Sequence, residues 1–323
     1  MPSPFPPSDH CDGRRFFNPN GGNPLGFGAL LRWQFNRRQG AWPAWVENQA
    51  KPRLPSLVGP REWVVTFVNH ATFLIQLPGL NLLTDPIWSD RCSPVSWAGP
   101  KRVHAPGLPF EALPPIHGVL LTHNHYDHLD LPTLRRLHAA HRPLILTSLG
   151  NRGFLEQEGV PGAVELDWWQ EHLLRPEVLV TFTPAQHFAA RGLTDRMETL
   201  WGGFALTTPA GKLYFAGDSG YFEGFRVIGE RLGPFDLSFI PIGAYEPRWF
   251  MKPVHCDPAE AVRIHRDVRS RRSLAMHFGC FPLADDSYEQ PMRDFLAARN
   301  AAGLDDAEFA LPAVGETRVY PLG

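Results

Sequence analysis

The chain has 323 residues, of which 43% are hydrophobic and 12% aromatic, enough to bury a sizeable core. Its 31 basic and 33 acidic residues leave a net charge of -2, so the electrostatics give no case for a nucleic-acid partner. The four cysteines, Cys11, Cys92, Cys256 and Cys280, show no paired spacing, and neither a signal-peptide pattern nor a membrane-length apolar run occurs; we expect a cytoplasmic protein that at most lies on the inner membrane face.

Residues 1–60 are rich in Pro, Gly, Arg and aromatics and read as an extension wrapped on the fold, with the main domain over 61–323. Within the extension Phe27, Leu30, Leu31 and Phe35 share one helical stripe, flanked by Arg32, Trp33, Arg37 and Arg38. That mixture suits an interfacial segment, or a helix packed on its own domain. Strands follow over 63–69, 72–77, 81–84 and 118–122. Asp130 is the expected cap of a helix with Pro132 in its first turn, running through Leu134, Leu137 and His138 to a strand at 144–147. A strand over 178–183 leads to His187, a hairpin over 204–208 and 212–216 leads to Asp218, and an apolar run covers 237–242. Asp257-Pro258-Ala259-Glu260 forms a capping box for a helix to about Val268, and a strand over 273–276 delivers His277. This order predicts an α/β four-layer sandwich: two mixed β-sheets face to face with helices outside.

The densest chemistry lies in Thr122-His123-Asn124-His125-Tyr126-Asp127-His128, where three imidazoles and a carboxylate leave the apolar strand Gly118-Val119-Leu120-Leu121. Alternation sends His123 and His125 to one side, and the following turn can swing Asp127 and His128 toward a second centre, which is donor chemistry for two metal ions. His255 lies beside a helix N-terminus, where backbone N–H groups favour anions; it is a candidate to hold a phosphate or protonate a leaving oxygen, or else it merely caps the loop.

With His187 after Thr183-Pro184-Ala185-Gln186, Asp218 in Phe215-Ala216-Gly217-Asp218-Ser219-Gly220 and His277 in Ala275-Met276-His277-Phe278-Gly279, the chain resembles the metallo-β-lactamase superfamily from Val65 to its C-terminus. It is similar, within that superfamily, to the N-acylphosphatidylethanolamine-hydrolysing phospholipase D family. Val68-Asn69-His70-Ala71-Thr72, Thr84-Asp85-Pro86-Ile87-Trp88-Ser89-Asp90-Arg91, Leu200-Trp201-Gly202-Gly203 and Ile242-Gly243-Ala244-Tyr245-Glu246-Pro247-Arg248-Trp249 carry that likeness. The resemblance implies His123, His125 and His187 as ligands of one metal, Asp127, His128 and His277 of a second, and Asp218 bridging both. Asp85 is then expected to orient a ligand imidazole, and His70 to do the same or to pack.

Tyr126 and Gln186 are expected to approach the substrate, and Tyr245 and Arg248 to line the entrance, with packing as the alternative for each. The tryptophans Trp88, Trp97, Trp168, Trp169, Trp201 and Trp249 suit an acyl groove or simply the core. The implied cofactors are two divalent ions, Zn2+ first, with Mn2+ or Fe compatible with the same donors. The implied reaction is phospholipase D-type hydrolysis of an N-acylphosphatidylethanolamine-like phospholipid to N-acylethanolamine and phosphatidic acid, by a hydroxide held between the metals, with Asp127, Asp218 and His255 as catalytic groups. A soluble ester, lactone or phosphodiester is the alternative substrate, and a metal protein without hydrolase activity the competing class. The implied partners are the phospholipid, a peripheral membrane contact and a homodimer.

Overall fold

The computed structural model describes residues 4–19, 21–192 and 194–322. A first sheet is built from β1 (Glu62–Asn69), β2 (Thr72–Leu77), β3 (Leu80–Thr84), β4 (Gly118–Leu121), β5 (Leu144–Ser148) and β6 (Val164–Leu166). A second contains β7 (Glu171–Arg175), β8 (Val178–Thr183), β9 (Gly203–Thr208), β10 (Gly211–Phe215), β11 (Leu237–Pro241), β12 (Ser273–Met276) and β13 (Phe309–Ala310). The last strand, β14 (Thr317–Pro321), returns to the first sheet beside β1. Strand order is β14-β1-β2-β3-β4-β5-β6 in one sheet and β13-β12-β11-β10-β9-β8-β7 in the other. Pairing is antiparallel through β3 and parallel from β3 to β6; in the second sheet it is antiparallel from β7 to β10 and parallel from β10 to β13.

Alternation along the strands explains the layering. Phe73, Ile75, Leu82 and Leu120 point between the sheets, where the Phe73 ring stacks on Phe239 with centroids 4.1 Å apart. Their neighbours Leu74, Leu83, Val119 and Leu121 point the other way and meet Leu134 and Leu137 of α2 (Leu131–His141). Both faces are covered, so these strands read as continuous apolar runs. The other helices are α1 (Phe27–Phe35), α3 (Arg152–Gln157), α4 (Gly224–Arg231), α5 (Arg248–Met251), α6 (Pro258–Asp267) and α7 (Gln290–Ala301). The capping box at α6 forms as expected, Asp257 accepting from the Glu260 backbone and Glu260 from that of Asp257. Among the described residues no helix is long and apolar enough to cross a membrane.

The N-terminal segment crosses the body at several points. Asn18 donates to the backbone oxygen of His187, Trp42 to that of Asp286, and α1 contacts α5. Asp130 occupies the N-cap of α2 as expected, but without a side-chain cap bond. Its carboxylate makes no bond to the backbone of α2; it accepts instead from the Trp88 and Ser89 backbone N–H groups at 3.2 and 3.1 Å and from the Ser89 and Thr133 hydroxyls at 2.7 and 2.5 Å. The turn after Asp85 is thereby tied to the start of α2. Asp130→Ala strands these donors and is expected to lower stability by about 3 kcal/mol, read by urea unfolding; a loss under about 0.5 kcal/mol would contradict the tie.

Candidate metal centre

The turns after β1, β3, β4, β8, β10 and β12 converge at one end of the sandwich, bringing His70, Asp85, His123, His187, Asp218 and His277 together. Strands that run in the same direction, whether direct neighbours or separated by one antiparallel strand, present their C-terminal ends on the same side, which is why residues so distant in sequence meet. Three of these residues hold a left-handed backbone: His70 at φ 44°, Asp85 at φ 30° and His277 at φ 61°. Such non-glycine conformations persist only where surrounding contacts over-determine them. The contacts are present: His277 N donates to His70 O at 2.8 Å, and Asp85 N to Leu120 O at 3.0 Å. Gly217, at φ 64°, has no room for a Cβ, which would stand 2.5 Å from Gly202 O.

Two overlapping groups of donors result. In one, His125 Nδ1 lies 2.9 Å from His123 Nε2 and 3.2 Å from His187 Nε2. In the other, Asp127 Oδ2 lies 2.9 Å from His70 Nε2, 3.2 Å from His128 Nε2 and 3.3 Å from His277 Nε2. Asp218 Oδ2 sits between the groups, 3.1 Å from His128 Nε2, 2.9 Å from His277 Nε2 and 3.9 Å from His187 Nε2. The seven residues His123, His125, Asp127, His128, His187, Asp218 and His277 are thus assembled, and His70 joins the second group. Asp85 makes no contact with either group's centre except through other side chains: it accepts from His128 Nδ1 at 2.7 Å and from the Thr122 hydroxyl at 2.7 Å.

The ring tautomers show that this arrangement fits a cation. Thr122 donates its proton to Asp85, so it accepts from His123 Nδ1 at 2.9 Å, while His187 Nδ1 donates to Val254 O at 2.7 Å. Both rings therefore aim Nε2 lone pairs at His125 Nδ1. Likewise His128, having given its Nδ1 proton to Asp85, turns a lone pair on the carboxylates of Asp127 and Asp218. Lone pairs facing lone pairs and carboxylates require a proton or a metal ion between them.

Protonation follows the same division. Burial pushes the pKa of His125 down to about 3 and that of His187 down to about 4, so both are neutral donors at pH 7. His123 is likewise held well below the usual range by burial and then by the charge of His128, and His70 is lowered to about 3 by burial and then by His277. Burial also opposes charge on His128 and His277, but Asp218 and Asp127 outweigh it, raising His277 to about 9 and His128 well above its ordinary value. For Asp127 and Asp218 burial is outweighed by His128, and both carboxylates are held well below the usual range.

A cavity of about 510 Å³ opens onto this centre. His125, Asp127, Asp218, His255 and His277 form its polar end; Leu25, Phe27, Leu30, Trp33, Phe250 and Met251 are among its apolar walls. His255 stands with Nδ1 4.0 Å from Asp218 Oδ2. The four residues expected against the substrate are elsewhere. Tyr126 turns to the far side, its hydroxyl donating to Arg191 O and its ring under the Arg191 guanidinium; Gln186 donates to Pro253 O. Tyr245 is buried and donates to Asp294, and Arg248 is engaged by Glu260, Asp257 and His255 O. None of them lines the cavity, and neither do Trp88, Trp97, Trp168, Trp169, Trp201 or Trp249. The apolar walls come instead from α1 and α5 together with Phe188, which directly follows His187, and Arg196 adds a basic group to the lining.

Comparison with known proteins agrees with this geometry. Residues 80–278 match a family described as "Beta-lactamase superfamily domain". The chain is 39% identical over 263 residues to the Caenorhabditis elegans protein named N-acyl-phosphatidylethanolamine-hydrolyzing phospholipase D 1, covering 78% of this chain and 74% of that one. Its fold is similar to that of Igni18, a metallo hydrolase from Ignicoccus hospitalis KIN4/I, with TM-score 0.60 and 22% identity over 81% of this chain and 100% of that chain. It is also similar to that of CmlA, a diiron beta-hydroxylase from Streptomyces venezuelae, with TM-score 0.60 and 21% identity over 82% of this chain and 55% of that chain.

Because His128 and His277 carry pKa values raised above 6.5, their pairs with aspartate stabilise the metal-free protein below pH 6.5; the His277 part of that contribution is lost as pH rises through about 9, and the His128 part as pH rises through its own raised pKa. A metal ion displaces the same protons. Loading the metal-free protein at pH 7 is expected to release about two protons per chain, read by calorimetry in buffers of different ionisation enthalpy. Release near zero would contradict the arrangement.

Proposed function

The chain belongs to the metallo-β-lactamase superfamily, a family of metal-dependent hydrolases, and from that premise we propose that it is a two-metal phosphodiesterase of phospholipase D type. Its substrate on this reading is an N-acylphosphatidylethanolamine-like phospholipid, cleaved to N-acylethanolamine and phosphatidic acid. The observation that carries the reading is the continuity of a donor cluster with an apolar cavity: His125, Asp127, Asp218 and His277 face the same space as Leu25, Phe27, Leu30 and Trp33. A phosphodiester between acyl chains has that division of polar and apolar parts. The naming of the Caenorhabditis elegans relative supports the same chemistry.

His123, His125 and His187 would hold one ion, Asp127, His128 and His277 the other, with Asp218 shared; Zn2+ suits these donors, as do Mn2+ and Fe. When bound, such ions supply Lewis acidity and an activated water near neutral pH. The chain's own residues do the rest. Asp85 fixes the ring of His128, and Val254 O fixes that of His187, so neither needs to reorganise when substrate arrives. His255, at the polar end of the cavity, is the group we assign to the phosphate or the departing oxygen. The apolar walls exclude water from the reacting bond.

Peripheral contact with a lipid surface fits the same face. On α1, Phe27 and Phe35 are 69% and 85% exposed, Leu31 is also exposed, and Arg32 lies over the exposed Trp249 ring. Phe27 also borders the cavity. Replacing Phe27 and Phe35 together by serine is expected to reduce flotation with anionic vesicles several-fold while leaving metal content unchanged; unchanged flotation would remove the membrane role of α1.

Liposomal N-acylphosphatidylethanolamine incubated with reloaded protein is expected to yield N-acylethanolamine by mass spectrometry, with none from a chelated sample. His123→Ala should fall to that background, and Asp85→Asn should lose roughly 10–100-fold in activity through misorientation of His128. Turnover of soluble esters alone, with the lipid untouched, would refute the phospholipase reading while leaving the hydrolase intact.

A further inference from the structure

Of the arginines near the centre, Arg191 and Arg248 are occupied. Arg191 donates to Asn124 O at 2.8 Å and Leu129 O at 2.9 Å; Arg248 meets Glu260 at 2.7 Å and Asp257 at 3.5 Å. Arg196 differs. It lines the cavity half-buried, and among the described residues no carboxylate lies within 4.0 Å of its guanidinium. Nη2 donates to Leu25 O at 2.8 Å, which leaves Nε and Nη1 without a protein acceptor among the described residues. Burial lowers its pKa, and no acidic neighbour lifts it. Its free N–H groups are not among the buried unpartnered atoms and still reach solvent, so a ligand that displaces that water must supply an acceptor in its place or lose those bonds.

Its position specifies which acceptor. The guanidinium carbon lies over the Phe188 ring, 5.1 Å from the centroid, and the Phe188 centroid is itself 4.6 Å from that of His125. Arg196 is therefore one aromatic layer out from the donor cluster. The single negative charge of a phosphodiester belongs at the cluster. What a phospholipid offers one layer further out, a few bonds from phosphorus, is an acyl carbonyl oxygen, whether of a glycerol ester or of an N-acyl amide.

We propose that Arg196 is a specificity-determining residue that donates to an acyl carbonyl of the substrate, so that the enzyme selects acylated phosphodiesters over otherwise similar alkyl ones. The assignment rests on the phosphodiesterase reading above and adds a substrate feature to it. The N–H groups left free by Leu25 O, on Nε and Nη1, can donate to a carbonyl oxygen, and the apolar surroundings strengthen such a bond.

The test compares three lipids with wild type, Arg196→Met and Arg196→Lys: the diacyl N-acyl lipid, its ether-linked counterpart that keeps only the amide carbonyl, and a diacyl phosphoalkyl ester that lacks the amide. Wild type is expected to lose roughly 10–100-fold in kcat/KM on one of the two carbonyl-deleted lipids, which identifies the carbonyl as ester or amide. Arg196→Met should lose the same factor on the parent lipid and be insensitive to that deletion, with Arg196→Lys in between. Thermal unfolding checks that the variants fold, and if the methionine variant does not, the partial loss of discrimination by Arg196→Lys carries the test. An equal loss by Arg196→Met on all three lipids, as expected if Arg196 only clips Leu25 or attracts the phosphate, would overturn the proposal; so would no loss at all. Wild type that cleaves the three lipids equally overturns the role of Arg196 alone, whereas wild type that cleaves none of them overturns the phosphodiesterase reading with it.

Discussion

One oxygen atom, Oδ2 of Asp218, organises the end of this molecule. It stands 3.1 Å from His128 and 2.9 Å from His277, a side chain from each sheet, and also faces His187 from a third turn. Burying two carboxylates and so many imidazoles at a sandwich edge is unfavourable unless each finds a compensating partner. The tautomers dictated by Asp85, Thr122 and Val254 leave those partners incomplete without a proton or a metal ion. Left-handed backbones at His70, Asp85 and His277 are the local cost of aiming the side chains inward.

Function depends on what the rest of the chain adds to that polar point. Strands that run in one direction, from the parallel and the antiparallel parts of both sheets, deliver the donors, while the cavity wall comes from outside the sandwich. Trp33 is buried against Met251 and Ala284, which seats α1 and leaves Phe27, Leu31 and Phe35 facing out. The polar end of the cavity and its apolar wall therefore have separate origins in the fold.

Local patterns in the sequence carried much of this. Val178–Thr183 and Ser273–Met276 were legible as strands to the residue, because apolar runs ended at polar turns, and the Asp257 box marked the start of α6. The histidine cluster was legible because its donors are close in sequence. Strands β6, β7, β13 and β14 were not: Val164–Leu166 and Phe309–Ala310 are too short to show a period, and Glu171–Arg175 is a polar edge. Helix α4 was hidden by its glycines and lack of a capping side chain.

Adjacency in sequence to the donor residues proved a poor guide to what lines the cavity. Tyr126 lies between two ligands in sequence yet turns outward to Arg191, and Arg248 is drawn into the capping network of α6. Phe188 and Arg196, which do line the cavity, carry no motif of their own; their place follows from a turn whose path only the fold shows. The stripe on α1 was visible, but its contact with α5 depends on the long-range packing of Trp33.

The most direct measurement is elemental analysis of the purified protein after exposure to excess divalent cation and removal of the unbound ion. Two equivalents per chain, with Asp218→Ala retaining fewer than one, is the expected outcome. A wild-type protein that retains no metal, or an Asp218→Ala variant that retains both equivalents, would contradict the shared centre.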